Sequence, residues 1–560
     1  VGTRMLFENL RRSLTCIVLG LSLVCGVMTV EGVQRAPRRR TPPTQTPART
    51  ARLAPRAAAL LGSISAESLR GHLSFLASDA LEGRNTPSRG LDIAAEYIAA
   101  QFRRAGLEAV GDDRYFQTAR WLVRERNLEG FALNIESGGQ AVGVTGEQVS
   151  LSLESGGRTL FSVDTPLAFE RAGIFKIDYA DAAALDALKA EQVEGKVVLT
   201  EIPDLRRERE RARRTAIYDA QRKFLARMGA LKAALVLSVE RTTTRGGGRG
   251  TGRLRDPDAT PMAGARSASS SSNAPLIIVH NADALKLYDA LPAGANAGAV
   301  TLRLQEPSET PVGVRNVVGL LRGSDPVLKE TYVIVSAHYD HLGMLPNLQG
   351  DNIYNGANDD GSGTATVVEL ASVFGALKER PKRSILFMTF FGEEKGLLGS
   401  RYYGRHPLVP IAQTVAQVNL EQVGRTDDST GPQVSTASVT GFDYSDVGEI
   451  LRAAGERAGV RVYKHERNSD AFFGRSDNQS LADEGVPAHT LGVTFEFPDY
   501  HGLEDEWEKI DFPNMAKVAR AVALGVLSIA DNPQPPRWNE ANPKTAPYVK
   551  AWRARQGGKQ

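Results

Sequence analysis

Tyr332-Val333-Ile334-Val335-Ser336-Ala337 is a short run of apolar and small residues that leads directly into His338-Tyr339-Asp340. So brief a run, apolar throughout rather than alternating, is the pattern of a strand buried on both faces. Strands of the same kind are predicted over Ser384–Phe391, Ala416–Leu420, Gln433–Thr440, Arg461–His465 and Ala488–Val493. Amphipathic helices are predicted between them over Gly363–Leu377, Tyr444–Gly459 and Asn514–Ala530. The alternation predicts an α/β fold whose mixed, mostly parallel sheet is covered by helices on both faces. In such sheets ligands collect at the carboxyl ends of the strands.

The residues able to do chemistry sit at those ends. His338 closes its strand, and Asp340, two residues on, is placed to turn back and accept the other imidazole N–H. His341 would point away from a centre that His338 faces, and reads as loop structure. The loop Asn355-Gly356-Ala357-Asn358-Asp359 runs up to a helix starting near Ser362. Asp359 or Asp360 could cap that helix, and the preferred division gives Asp359 to a metal and Asp360 to the helix start. Glu393 and Glu394 follow the strand ending at Phe391, and adjacent side chains there point in different directions, so one can bind metal while the other reaches bound water. Glu421 follows Asn419-Leu420, and His501 lies in Asp499-Tyr500-His501-Gly502. Two imidazoles and several carboxylates at strand ends make a donor set for two divalent cations.

Upstream the composition changes. Arg11 and Arg12 precede an apolar stretch, Leu14–Val30, which reads as an export leader within residues 1–33. Cys16 and Cys25 both fall inside it, so disulfides and cysteine metal ligands are excluded from the rest of the chain. Any metal there is left to His and carboxylate ligands, which suit zinc, manganese or cobalt. Residues 34–58, rich in Pro, Arg and Thr, read as a solvated linker. Helices are predicted over Ser65–Ser78 and Leu91–Ala105, within an N-terminal helical part at 59–126. From 127 to 306 short β-rich runs such as Lys196–Thr200, Ala234–Glu240 and Leu276–His280 indicate an insert, with a basic helix near Arg206–Met228. The Gly-, Arg- and Ser-dominated stretch Thr242–Asn273 is expected to be a disordered loop. The glycines from Gly246 to Gly252 lack the Lys-Ser/Thr ending of a phosphate loop. The catalytic part is expected over 307–535, followed by a tail at 536–560.

At 560 residues, the chain is long enough for two domains. Its formal charge of +3 is carried by the first 50 residues, where eight Arg face only Glu8 and Glu31. The remaining residues carry a net −3, which gives no reason to expect a nucleic-acid partner.

These motifs resemble the zinc exopeptidases that include bacterial leucyl aminopeptidases, aminopeptidases S and Y, and glutamate carboxypeptidase. The resemblance covers residues 314–530 and the leading segment Phe75-Leu76-Ala77-Ser78-Asp79-Ala80-Leu81-Glu82-Gly83-Arg84. It implies two zinc ions bridged by Asp359, with His338 and Glu421 on one side and Glu394 and His501 on the other. Glu393 would be the general base, Asp340 the residue orienting His338, and the insert a protease-associated domain. Tyr339, Arg425, Asp477 and Tyr500 are candidate substrate contacts. The implied substrate is a peptide, cleaved at its amino end by a secreted or periplasmic enzyme without stable membrane insertion. Carboxypeptidase action would need a cationic recess, for which Arg425 and Arg475 are candidates. A glutaminyl cyclase, or a binding protein on the same scaffold, is the further alternative. Two departures stand out: Glu421 where many members have Asp, and Asn478 where His is common.

Overall fold

The structure, a computed structural model, describes residues 54–557 except 156–157, 164, 202–210, 242–252, 258–272 and 346–349. The expected leader, most of the linker and the glycines Gly246–Gly252 therefore lie outside the described residues.

Nine strands form the larger sheet, and its four central members Ser384–Phe390, Tyr332–His338, Thr414–Leu420 and Ala488–Gly492 are parallel neighbours. Antiparallel pairs flank them: Ser308–Leu321 against Ser384–Phe390 on one side, and Thr436–Val439 against Ala488–Gly492 on the other. The parallel character is thus concentrated at the centre of a mixed sheet. Alternate side chains of each central strand enter different cores. Val333, Val335, Ala337, Ile385 and Phe387 face the helices Ala66–Leu76, Arg89–Arg104, Ser362–Gly375, Asp446–Ala458 and Phe512–Asp531. Tyr332, Ile334, Leu386, Met388 and Phe390 face Tyr403, Leu481, Trp538 and Val549. Burial on both faces explains why these strands read as unbroken apolar runs.

The helix starts follow local chemistry. Ser65 accepts a hydrogen bond from Ser68 N, Ser88 from Leu91 N, and Asp511 from Asn514 N ahead of Phe512–Asp531. Among the described residues only that last helix is long and apolar enough to cross a membrane, and 78% of its most apolar window is buried inside the fold.

An eight-stranded sheet is built from the insert, between Ala132 and Leu304, with strands Val197–Thr200, Leu235–Val239 and Leu276–Val279 running parallel at the predicted places. It has apolar clusters of its own. Three expectations need correction. The helix Pro55–Ser63 begins inside the expected linker. Within the expected loop 242–273, Arg253–Arg255 forms a strand that pairs with Leu122–Arg124 at the edge of the larger sheet. The expected tail is packed: Trp538 is buried, its indole N–H donates to Gly485 O at 2.9 Å, and Ala546–Gly557 is helical. Each misreading has one cause, since polar and Pro- or Arg-rich composition reports low average hydrophobicity but not where a single Leu254 or Trp538 finds a partner.

Candidate active site

The central strands end at one level: His338 is opposite Phe390, and Ser336 is opposite Asn419. Loops leaving these ends bring the metal-ligand candidates His338, Asp359, Glu394, Glu421 and His501 near one another. Asp359 lies between two imidazoles, with Oδ1 3.3 Å from His338 Nε2 and Oδ2 3.1 Å from His501 Nε2. Glu394 Oε2 lies 3.3 Å from His501 Nε2, and Glu393 Oε2 lies 4.0 Å from His338 Nε2. Donor atoms of His338, Asp359 and Glu421 lie within 4.8 Å of one another, as do those of His341, Asp359 and Glu394. Asp359 is common to both sets.

Backbone hydrogen bonds fix the loops. Asp505 accepts from the N–H groups of Asn358 at 3.0 Å and Asp359 at 3.1 Å, which sets the direction of the Asp359 carboxylate. Asp360 accepts from Gly363 N at 3.0 Å and Gln422 N at 3.2 Å, so it ties the first turn of the helix Ser362–Gly375 to the Glu421 loop, although the N-cap position itself is Gly361. The Asn358 side chain accepts from Gly424 N and Arg425 N, both at 2.9 Å. Gly356 has φ +56°, and a Cβ there would meet the His341 ring at 2.4 Å, so only glycine fits. His501 itself takes the left-handed φ of 55°.

The electrostatics separate the two adjacent glutamates. Burial, reinforced by Glu421 and Glu394, holds the Glu393 carboxyl well above the usual range, although His338 opposes it. Burial alone would do the same to Glu394, but His501 and His341 outweigh it and bring that carboxyl down to about 2. His501 is pulled down by burial and lifted further by Glu394 and Asp359, reaching about 11. His338 is likewise raised, because Asp340 and Asp359 overcome its burial. Burial, with Asp359 adding to it, raises Glu421 to about 7.

Nε2 of His338, Nε2 of His501, Nδ1 of His341 and Oε1 of Glu394 face only the other ligand candidates across this centre, and Nε2 of His341 has no hydrogen-bond partner. Buried polar atoms without partners are costly, and a divalent cation would satisfy them. Imidazole nitrogens and carboxylate oxygens are donors suited to zinc, so the residues fit that metal.

Three sequence readings change here. His341 does not point away. It is fully buried, with Nδ1 2.8 Å from Glu394 Oε1 and its ring edge-on to His501. Strand alternation ends at His338, and the turn that follows brings His341 back to the centre. Tyr339 is not a substrate contact, since it is buried and its hydroxyl donates to Arg315 O at 2.5 Å. Arg425 is also buried, its guanidinium held by Asp427 at 2.8 Å and Asp499 at 2.9 Å, so it offers no free cation. Arg475 is stacked over Phe472 at 4.4 Å.

Asp340 reaches His338 Nδ1 through its backbone oxygen at 3.2 Å, while its carboxylate stands 3.6 Å from that nitrogen and accepts Glu393 N at 3.1 Å. It therefore links His338 to Glu393 rather than serving the imidazole alone. Asp477 is buried, and burial lifts its carboxyl to about 6. Tyr500 is 45% exposed, with its ring stacked on His501 at 4.1 Å, a position at the rim open to a ligand. Asn478 donates to Phe473 O at 3.0 Å and accepts from Thr490 Oγ1 at 2.8 Å, an anchoring role that accounts for Asn at this position. Asp505 was missed, because a lone Asp in a Glu-rich loop carries no sequence signal for the two N–H groups it serves.

Residues 316–526 match peptidase family M28. A protein of Pyrenophora teres f. teres named "Probable zinc metalloprotease" is 39% identical over 245 residues, covering 40% of this chain and 50% of that protein. Aminopeptidase YwaD of Bacillus subtilis is 28% identical over 239 residues, 40% of this chain and 46% of its own length. The chain spans about half the length of these curated relatives. Among solved structures, an aminopeptidase from Aneurinibacillus sp. strain AM-1 shares the fold with a TM-score of 0.52 at 19% identity, covering 86% of this chain and 97% of that one.

Proposed function

We propose that this chain is a zinc-dependent aminopeptidase with two ions in the site, a reading supported by the match of residues 316–526 to peptidase family M28. One observation carries the reading: the Asp359 carboxylate turns one oxygen toward His338 and the other toward His501, at 3.3 and 3.1 Å, as a ligand shared between two cations would. His338 and Glu421 would hold one ion, His501 and Glu394 the other. Bound there, divalent zinc supplies the Lewis acidity that polarises a scissile carbonyl and makes water more acidic.

The chain's own groups do the rest. Glu393 stays outside both ligand sets, 4.0 Å from His338 Nε2, where as a carboxylate it takes the proton of the attacking water and passes it to the leaving amine. Asp340 fixes Glu393 through its backbone N–H and His338 through Nδ1. The surplus of carboxylates suits a substrate ammonium. A substrate carboxylate finds no free partner in Arg425, which supports action at the amino end over the carboxyl end. The leader-like segment Leu14–Val30 supports a secreted or periplasmic protein, and the insert is read as a protease-associated domain.

Metal analysis combined with a substrate panel tests this. We expect close to two divalent ions per chain at saturation, turnover of free-amine aminoacyl substrates, and loss of turnover when the amine is acetylated. Saturation at a single ion would remove the shared-ligand reading, and equal turnover of acetylated peptides would remove the aminopeptidase reading.

A further inference from the structure

Arg84 lies outside the segment that matches the peptidase family, more than 230 residues before it, yet it is 1% exposed beneath the site. Every group its guanidinium bonds is a backbone carbonyl oxygen. Nε donates to Tyr339 O at 2.9 Å, Nη1 to Asn355 O at 2.8 Å and to Leu76 O, and Nη2 to Gly356 O at 3.0 Å. Its own carbonyl accepts His341 N at 3.2 Å. Tyr339 stands between His338 and Asp340, and Gly356 begins the turn that presents Asp359. One side chain therefore joins the two loops carrying these ligands to the end of the helix Ala66–Leu76.

The neighbouring backbone is interlocked with those loops. A Cβ on Gly83 would lie 2.5 Å from both Gly343 O and Tyr354 O, and Arg84 itself has a φ of 48°. The charge is also placed to matter, since Asp340, Asp359, Asp360 and Asp505 all act on it. A planar guanidinium has five N–H donors in a fixed fork and can serve carbonyls in several directions at once. An ammonium is a compact point charge that cannot span them in the same way.

We propose that Arg84 is a positioning residue, a cationic clasp that holds the His338 and Asp359 loops at the spacing metal binding requires. The inference rests on the two-ion reading of the site. It means that the family-matching segment depends on a side chain supplied from the N-terminal helical part, across the insert. By linkage, metal loading and closure of the clasp stabilise each other, although Arg84 ligates nothing.

Arg383 provides a control. It is equally buried, donates to Asn532 O and Pro533 O, both at 3.0 Å, and sits at the opposite end of the central strands, just before Ser384. In chelator competition, Arg84→Gln is expected to raise the apparent dissociation constant for zinc by at least about tenfold, the range typical of groups that orient metal ligands. Arg84→Lys should fall between that variant and the wild type, and Arg383→Gln should stay within about twofold of the wild type even if its melting temperature drops. Equal zinc affinity in Arg84→Gln and Arg383→Gln would overturn the proposal.

A second measurement needs no variant. Hydrogen exchange across residues 79–86 of the full wild-type chain should slow when zinc is loaded, and unchanged exchange there overturns the proposal. Wild-type protein that takes up no zinc would instead fail the reading of the site itself.

Discussion

Glu393 and Glu394 are neighbours in sequence with opposite environments, so a matched pair of substitutions separates their roles. Glu393→Gln keeps size and hydrogen bonding but removes the carboxylate proposed as the base. We expect kcat to fall by ~10² to 10⁴ with zinc content and KM nearly unchanged. Glu394→Gln removes a charge that His501 and His341 both contact, at 3.3 and 2.8 Å, and should lose zinc affinity together with rate. Metal content measured beside steady-state kinetics decides the matter, and near-full turnover in Glu393→Gln would refute the assignment. The side chains most open to sequence reading were those that end strands: His338, Glu393, Glu394 and Glu421. His341 was misread because the rule of alternating faces stops applying where the strand stops.

The central strands and their helices were legible because burial on both faces leaves a run of apolar residues no pattern but a continuous one. The edges were less so. Arg253–Arg255 has the composition of a solvated loop, yet Leu254 packs against the main core, and only pairing with Leu122–Arg124 makes it a strand. The C-terminal segment is similar. Trp538 is 6% exposed, stacks on Tyr548 at a centroid distance of 5.1 Å and donates to Gly485 O. Trp538→Ala is expected to destabilise the protein by about 3–5 kcal/mol, the usual cost of deleting a buried large aromatic. Because Trp538 packs on the face of the sheet away from the helix Ser362–Gly375, kcat at 25 °C should stay within about twofold. Urea unfolding with parallel kinetics checks both, and a loss of stability under about 1 kcal/mol would mean this segment is a tail after all.

Across the whole molecule, two buried histidines outside the site set an acid limit. His72 is held near 4 by burial and Arg104, and His489 near 4 by burial. Both are neutral in the folded protein at pH 6, while in the unfolded chain they titrate near 6.5. Below that value the unfolded state binds protons that the folded state refuses. Stability is therefore full above pH 6.5 and declines as pH falls toward 4, by on the order of 3 kcal/mol for each histidine. Urea melts of metal-free protein between pH 7 and 4 should show this slope, and His489→Gln should make it shallower. Identical slopes in the variant and the wild type would show that His489 does not contribute.

The sequence by itself determined the α/β class, the order of the central strands and helices, and the identity of the ligand candidates. All of these depend on local pattern: apolar runs, capping residues, and polar residues placed where a strand ends. Tertiary structure decided which candidates meet. It brought His341 to Glu394, committed Arg425 to Asp427 and Asp499, and withdrew Tyr339 into the core. It also set Asp505 and Arg84 beneath loops far from them in the chain. The placements of Asp505 and Arg84 rest on hydrogen bonds between side chains and backbone groups more than a hundred residues away, and such pairings leave no periodic trace in a single sequence.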